Sequence, residues 1–301
     1  MRLYVIGGDG QVARSLREAA AGDNSIVFGS STRGEVDLLQ PSSITAALAR
    51  FRPDVVINPA AYTAVDKAEA EPDLAYAINR DGAHAVAAAA AALGASVIHF
   101  STDYVFDGTK DRAYTETDQV GPQGVYGESK LAGELAVAAA NPRHVVLRTA
   151  WVYAPFGANF VRTMLRLAAE RDVLRVVDDQ VGCPTYAPHI ATAAISVARQ
   201  VAGAGWKPEH AGVTHLAGPD ALSWCGFARQ IMQQSAARGG RSVPVEPITT
   251  ADYPTPAARP ANSRLSTSRL SSLFDIRLQS LDKALADCLD RLQQHEVRIA
   301  F

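Results

Sequence analysis

Leu3-Tyr-Val-Ile-Gly-Gly-Asp-Gly-Gln-Val-Ala13 decides the fold of this 301-residue chain. A short apolar run, Leu3–Ile6, feeds a glycine turn, and the turn opens a helix-like stretch, Gln11–Ala21. Glycines let the backbone turn sharply and come close to a pyrophosphate, while a helix N-terminus offers free N–H groups and the positive end of a dipole. This strand–turn–helix context makes Gly7, Gly10, Gln11 and Val12 candidates for holding a dinucleotide. Ala13 takes the place of the usual third glycine and is small enough to keep the helix close to the strand.

The alternation continues outward from that turn. Strands are expected at Ser25–Phe28, Asp54–Asn58, Ser96–Phe100 and His144–Thr149. Helices are expected at Ile44–Phe51, at Pro72–Leu93 (a long, Ala-rich stretch) and at Val125–Ala140. Short uninterrupted apolar strands separated by helices indicate a parallel sheet covered on both faces. The expected fold class is α/β, a doubly wound parallel sheet of Rossmann type, with ligands at the carboxyl ends of the strands. After about residue 150 the pattern loosens. Asn159–Glu170, His189–Val201, Ser223–Ala236 and Ser280–Gln294 look helical, and Val213–Ala217 could return a strand to the sheet. The expected division is a dinucleotide-binding domain over 1–150, with a return at about 187–217, and a smaller α/β substrate domain over 151–186 and 218–301.

Composition limits what the chain can do. It is 48% hydrophobic and 20% charged with a formal net charge of −2, so a sizeable core is expected and general attraction to nucleic acid is not. Three widely spaced cysteines (Cys183, Cys225, Cys288) fit a reducing compartment and lack metal-ligand spacing. No metal is therefore expected. Because Leu3–Ile6 enters the glycine turn directly, it reads as a buried strand and not as a signal peptide. The longest apolar stretch, Ala83 to Leu93, is too short to span a membrane. A cytoplasmic location follows as the expectation.

Tyr126-Gly-Glu-Ser-Lys130 carries the chemistry. Residues four apart share one helix face, so a Tyr and a Lys are neighbours there. A nearby ammonium is expected to lower the phenol pKa from about 10 and make it a usable proton donor. Upstream, Phe100-Ser-Thr-Asp-Tyr104 ends a strand and offers a hydroxyl beside that acid. Phe28-Gly-Ser-Ser-Thr-Arg33 lacks an acid until Glu35, and its serines and Arg33 could accommodate a 2′-phosphate. NADPH is the expected cofactor, with NADH open as an alternative. His99 and His144 flank strands and read as structural.

These motifs together resemble the extended short-chain dehydrogenase/reductases and, more closely, the dTDP-4-dehydrorhamnose reductase family. The resemblance also runs through Asn58–Glu69, Leu147–Tyr153, Asn159–Leu167, Val177–Thr185 and Tyr253–Ser263. It implies Thr102, Tyr126 and Lys130 as the catalytic trio, and Asp37 and Leu38 as walls of the adenine pocket. It also implies cofactor contacts from Ala61, Tyr62 and Thr63, besides Tyr126 and Lys130, and substrate contacts from Thr102, Asp103 and Trp151. Arg162, Arg166, Arg259 and Arg264 are candidates for a diphosphate.

The implied reaction is reduction of a nucleotide-sugar ketone at C4, with a nucleotide sugar as partner and a homodimer left open. Sugar dehydratases of the superfamily usually place Asp-Glu after the Thr, whereas here it is Asp103-Tyr104, which argues for simple reduction. Another nucleotide-sugar reductase or epimerase, or a non-catalytic dinucleotide-binding subunit of the kind that partners methionine adenosyltransferase, remain as alternatives.

Overall fold

The computed structural model describes residues 1–299. Its first half follows the alternation read from the sequence. β1 (Arg2–Ile6), α1 (Gln11–Ala21), β2 (Val27–Ser31), α2 (Pro41–Phe51) and β3 (Val55–Asn58) come first. α3 (Val65–Ala68), α4 (Pro72–Tyr76), α5 (Ala83–Ala92), β4 (Ser96–Thr102), α6 (Val125–Ala140) and β5 (His144–Thr149) follow. The second half adds β6 (Val152–Tyr153), α7 (Phe160–Glu170), β7 (Leu174–Val177), β8 (Val181–Gly182), β9 (Thr185–Tyr186), α8 (Ala187–Val201) and β10 (Gly212–His215). β11 (Leu222–Ser223), α9 (Trp224–Ala236), β12 (Val245–Ile248), β13 (Asn262–Ser263), α10 (Ser268–Phe274) and α11 (Leu281–Ile299) complete it.

Six strands form one parallel sheet in the order β10-β5-β4-β3-β1-β2. Side chains alternate across a strand, so both faces must be covered when both sets are apolar. In β1, Leu3 and Val5 join the core shared with α1 and α8, while Tyr4 and Ile6 join the core shared with α2 and α5. The chain leaves β1 for β2 on one side and crosses to β3 on the other. The topological switch point therefore lies between β1 and β3, where a doubly wound sheet opens a crevice at its carboxyl edge. A separate apolar core, including Tyr153, Met164, Phe227, Ile231 and Leu285, gathers α7, α9 and α11.

Two local expectations are corrected. The second strand runs Val27–Ser31 and not Ser25–Phe28. Gly29 sits inside it because the rings of Tyr4 and Phe51 cover that spot, and a Cβ there would lie 2.6 Å from Phe51. The stretch Pro72–Leu93 is helical but is interrupted by a π-helical turn at Ala77–Gly82. Such turns are frequent at functional sites. The strand expected to return at Val213–Ala217 does so, pairing parallel to β5 through Gly212–His215.

One buried ion pair ties α6 to β5. Arg148 Nε and Nη2 donate to Glu134 Oε1 and Oε2 at 2.8 and 2.6 Å, and both residues are almost wholly buried. Arg148→Met would leave a buried carboxylate uncompensated, and a loss of about 3–5 kcal/mol is expected. Chemical denaturation should show that loss, and the double variant Arg148→Met/Glu134→Met should recover most of it.

Candidate functional site

At the switch point a cavity of about 420 Å³ opens along the carboxyl ends of the strands. Gly7 to Ala13 forms its floor, Arg33 and Val36 to Leu38 one end, and Pro59 to Ala61 with Thr63 a side wall. Phe100, Ser101, Thr149 and Val152 face it from β4, β5 and β6, and Tyr126 and Lys130 reach it from α6.

The floor is built for an anion. Gly7 has φ +82°, a left-handed conformation, and a Cβ there would lie 2.7 Å from the Ala60 side chain. Gly10 is the N-cap of α1 and has no side-chain cap, so the first turn keeps N–H groups to offer. A Cβ on Gly10 would meet nothing nearer than 3.9 Å, which leaves the approach to that turn open. Ala13 is buried against the sheet, filling the packing role read for it. These features suit an anionic group at the α1 N-terminus, and Arg33, Asp37 and Leu38 line the cavity beyond it.

The expected cofactor segment Ala61–Thr63 is only partly on this wall. Ala61 and Thr63 line the cavity, whereas the Tyr62 hydroxyl donates to Glu71 Oε2 at 2.7 Å. Asn79, in the π-helical turn, holds the Tyr62 backbone from both sides and also donates to Ser129 Oγ on α6 at 2.9 Å. Sequence reading did not single out Asn79; the hydrogen bonds of a π turn leave no periodic signature.

Thr102, Tyr126 and Lys130 come together where β4 meets α6. The helix can approach because residue 127 is glycine: a Cβ there would lie 2.2 Å from the Tyr104 carbonyl oxygen. Thr102 caps the short 3₁₀ turn Asp103–Val105, accepting from Tyr104 N–H at 3.2 Å. Its hydroxyl contacts Asp103 Oδ1 at 3.1 Å and also bears on the Tyr126 phenol, favouring its ionised form. Tyr104 meets the Tyr126 ring edge-on at 5.4 Å. Lys130 is buried, and its Nζ donates to the Phe100 carbonyl at 2.6 Å and sits 3.5 Å from His99 Nε2.

The electrostatics differ from expectation. Burial pushes the Tyr126 phenol up to about 12, the Asp103 charge adds to this, and Thr102 only partly offsets it. Lys130 does not lower the phenol in this arrangement, because its ammonium is directed at the Phe100 carbonyl. Burial pulls Lys130 itself down to about 8, against the opposing pull of Glu134. His99, buried beside that ammonium, is held well below its usual pKa, so it is a neutral spacer between Lys130 and Asn58.

Trp151 adopts a left-handed backbone at φ +47° and stacks on Trp224 at 3.4 Å, with Gly182 against its other side. It stands one residue before Val152 on the cavity wall. The four arginines proposed for a diphosphate are scattered. Arg166 pairs with Glu170 on the surface, and Arg162 donates to the Gly157 carbonyl. Arg264 folds onto Asn262, and Arg259 pairs with Asp66 beside a second, smaller cavity. All three cysteines are buried and unbridged. Among the described residues no cluster of three His, Cys, Asp or Glu could hold a metal, and no helix is long and apolar enough to cross a membrane.

Comparison with known proteins decides the family. The family model "RmlD substrate binding domain" matches residues 1–294. This chain belongs to that family. A dTDP-4-dehydrorhamnose reductase of Sinorhizobium fredii is 48% identical over 284 residues, covering 94% of this chain and 95% of the relative. The structure of a reductase of that name from Clostridium acetobutylicum superposes with a TM-score of 0.90 at 36% identity, covering 97% of this chain and all of the other. One from Bacillus anthracis, solved in complex with NADP, gives 0.89 at 32% identity, covering 96% of this chain and 99% of the other.

Asp103 supplies a test of the site's electrostatics. Burial raises its carboxyl from 3.8 to about 6, and its Oδ2 has no hydrogen-bond partner. A raised carboxyl favours folding in its neutral form, and that contribution is lost as pH rises through about 6. Asp103→Asn, neutral at every pH, should melt higher than the native chain at pH about 8, with the gap shrinking as pH falls toward about 5. Melting curves at those two pH values check it; a gap that widens on acidification would sink the assignment.

Proposed function

We propose that this chain reduces the C4 ketone of dTDP-4-dehydro-L-rhamnose to give dTDP-L-rhamnose, with NADPH as reductant. The observation that carries the reading is that Tyr126 and Lys130 line a glycine-floored cavity, with the Thr102 hydroxyl buried beside the Tyr126 phenol, in a chain matched over nearly its whole length by reductases of that name. Gly7, Gly10, Gln11 and Val12 hold the pyrophosphate, and Asp37 and Leu38 flank the adenine. Ala61 and Thr63 lie along the cofactor, and Tyr62 braces that segment through Glu71. Arg33, exposed at the adenine end, meets the 2′-phosphate. The Bacillus anthracis relative's NADP complex supports that choice of cofactor.

NADPH, when bound, supplies the hydride to C4. Tyr126 donates its proton to the oxygen that was the ketone, and the Thr102 hydroxyl, turned from Asp103 Oδ1, donates a hydrogen bond to the same oxygen. With its pKa at about 12, the phenol arrives protonated, as a donor must. Lys130, its Nζ anchored on the Phe100 carbonyl, hydrogen-bonds the nicotinamide ribose. Asp103 and Trp151 contact the sugar nucleotide, and the part of the chain that receives it is formed, among the described residues, by 151–186 and the stretch from 218 onward. A cytoplasmic location fits three unbridged cysteines, and the reading allows a homodimer.

Tyr126→Phe should lower turnover by about 10²–10⁴-fold while NADPH still binds. The absorbance of reduced nicotinamide, followed with the nucleotide sugar present, measures this, and native-like turnover would overturn the role. Tight NADP binding by the native chain with no oxidation in the presence of this sugar would instead favour a regulatory dinucleotide-binding protein. Arg33→Ala should weaken NADPH and leave NADH unchanged; equal loss for both, measured by fluorescence titration, would remove Arg33 from the phosphate site.

A further inference from the structure

The turn α3 and the residue that ends it, Glu69, touch three parts of the site at once. Immediately before it, Pro59–Ala61 and Thr63 form a wall of the main cavity. Asp66 spends both carboxylate oxygens on a distant segment: Oδ1 accepts from Ala257 N–H at 3.2 Å, and Oδ2 from Arg259 Nη2 at 2.7 Å. Three residues on, along the same helix face, Glu69 Oε1 accepts from Val125 N–H at 2.9 Å. Val125 opens α6 directly before Tyr126. A small cavity of about 10 Å³ lies in the seam, lined by Val65, Glu69, Tyr104, Tyr126, Ala257 and Pro260. Arg259 Nη1 is buried there without a partner, and its charge acts on the Tyr104 hydroxyl.

Besides Asp66, the segment is held by Val181 N–H, which donates to the Ala261 carbonyl at 2.8 Å, and by the buried Ala257 and Pro260. Residues 254–261 form no helix or strand, and Tyr253 at their start is 62% exposed. Such segments open locally at low free energy. An arm ordered before the ligand arrives does not set its ordering entropy against binding. A carboxylate that accepts from one backbone N–H and one guanidinium of the same arm orders both backbone and side chain.

We propose that Asp66 is a positioning residue that holds Ala257–Pro260 as the substrate-side wall, and that Glu69 is its counterpart for the helix carrying Tyr126. One turn thereby links the cofactor wall, the proton donor's helix and the sugar-nucleotide wall. The proposal rests on the reaction assigned above, and it predicts opposite kinetic signatures for two carboxylates three residues apart.

Asp66→Asn should raise KM for the nucleotide sugar about tenfold, with kcat changed by no more than about twofold and NADPH affinity unchanged. Asp66→Asn/Arg259→Ala should lose no more than Arg259→Ala alone, because the first residue acts through the second. Glu69→Gln should lower kcat and leave KM in place. Calorimetric affinity for dTDP-L-rhamnose reads the wall even without turnover, so the two failures separate. A native chain that binds the sugar nucleotide through Asp66 but does not reduce the ketone sinks the reaction alone. A native chain that turns over while Asp66→Asn keeps its KM and affinity sinks the clip alone. Parallel loss of melting temperature, kcat and NADPH affinity in Asp66→Asn would make it a general structural residue and also overturn the clip.

Discussion

A lysine ammonium buried between a sheet and a helix needs polar atoms to replace its water, and the fold is arranged to supply them around Lys130. The Phe100 carbonyl, at 2.6 Å, lies in the part of β4 that faces α6. His99, neutral because it is buried beside a cation, packs against Nζ at 3.5 Å and meets Asn58 of β3 through Nδ1. Two strands and a helix must therefore be in register before the charge is tolerated. The close packing of α6 follows from the same requirement. Gly127 lies against the Tyr104 backbone, and Asn79 binds Ser129 two residues on, so the first turns of the helix that carries Tyr126 and Lys130 are located by two contacts.

Burial pushes every titrating group of this corner toward its neutral form: Lys130 down to about 8, Tyr126 up to about 12, Asp103 up to about 6. That pattern opposes folding at neutral pH, where Lys130 and Asp103 are still largely charged. The compensation comes from elsewhere in the chain. The sheet is sealed on both faces, and the Glu134–Arg148 pair fixes α6 to β5 one helical turn beyond Lys130. The same desolvation that weakens the fold suits a proton donor, since a phenol in a dry corner stays protonated until a hydride makes its partner oxygen basic.

The sheet was legible from the sequence because its strands are buried on both faces and therefore read as uninterrupted apolar runs bounded by turns. The return strand near residue 213 was visible for the same reason. The second strand was misplaced because Gly29 is a poor strand former by propensity and is tolerated only through the Tyr4 and Phe51 rings above it. The π turn was not read: Asn79, Asp81 and Gly82 are poor helix formers within Ala77–Gly82, but composition does not show where the Asn79 side chain goes. The Tyr–Lys spacing correctly predicted neighbours on one helix, but not the direction of the ammonium, which is set by a strand carbonyl far away in sequence. The partners of Asp66 and Glu69 lie 191 and 56 residues away in sequence and carry no local signal.

The residue after Asp103 bears on which reaction the corner can run. β-Elimination from a sugar needs a second group that can accept and return a proton near the phenol. Tyr104 occupies that place, and its hydroxyl is pushed well above the usual tyrosine range, mainly by burial and then by the Asp103 charge. It stays protonated at neutral pH and cannot act as a base there. Nearby Glu69 is engaged with the first N–H of α6, which its Oε1 accepts from Val125 at 2.9 Å. The carboxylate closest to Thr102 is Asp103, whose Oδ1 is taken by that hydroxyl. Beside the Tyr126 phenol the remaining carboxyl is that of Asp103, which Thr102 engages through Oδ1, and the residue after it is a phenol and not a second carboxylate, an arrangement in keeping with the proposed single hydride addition and protonation.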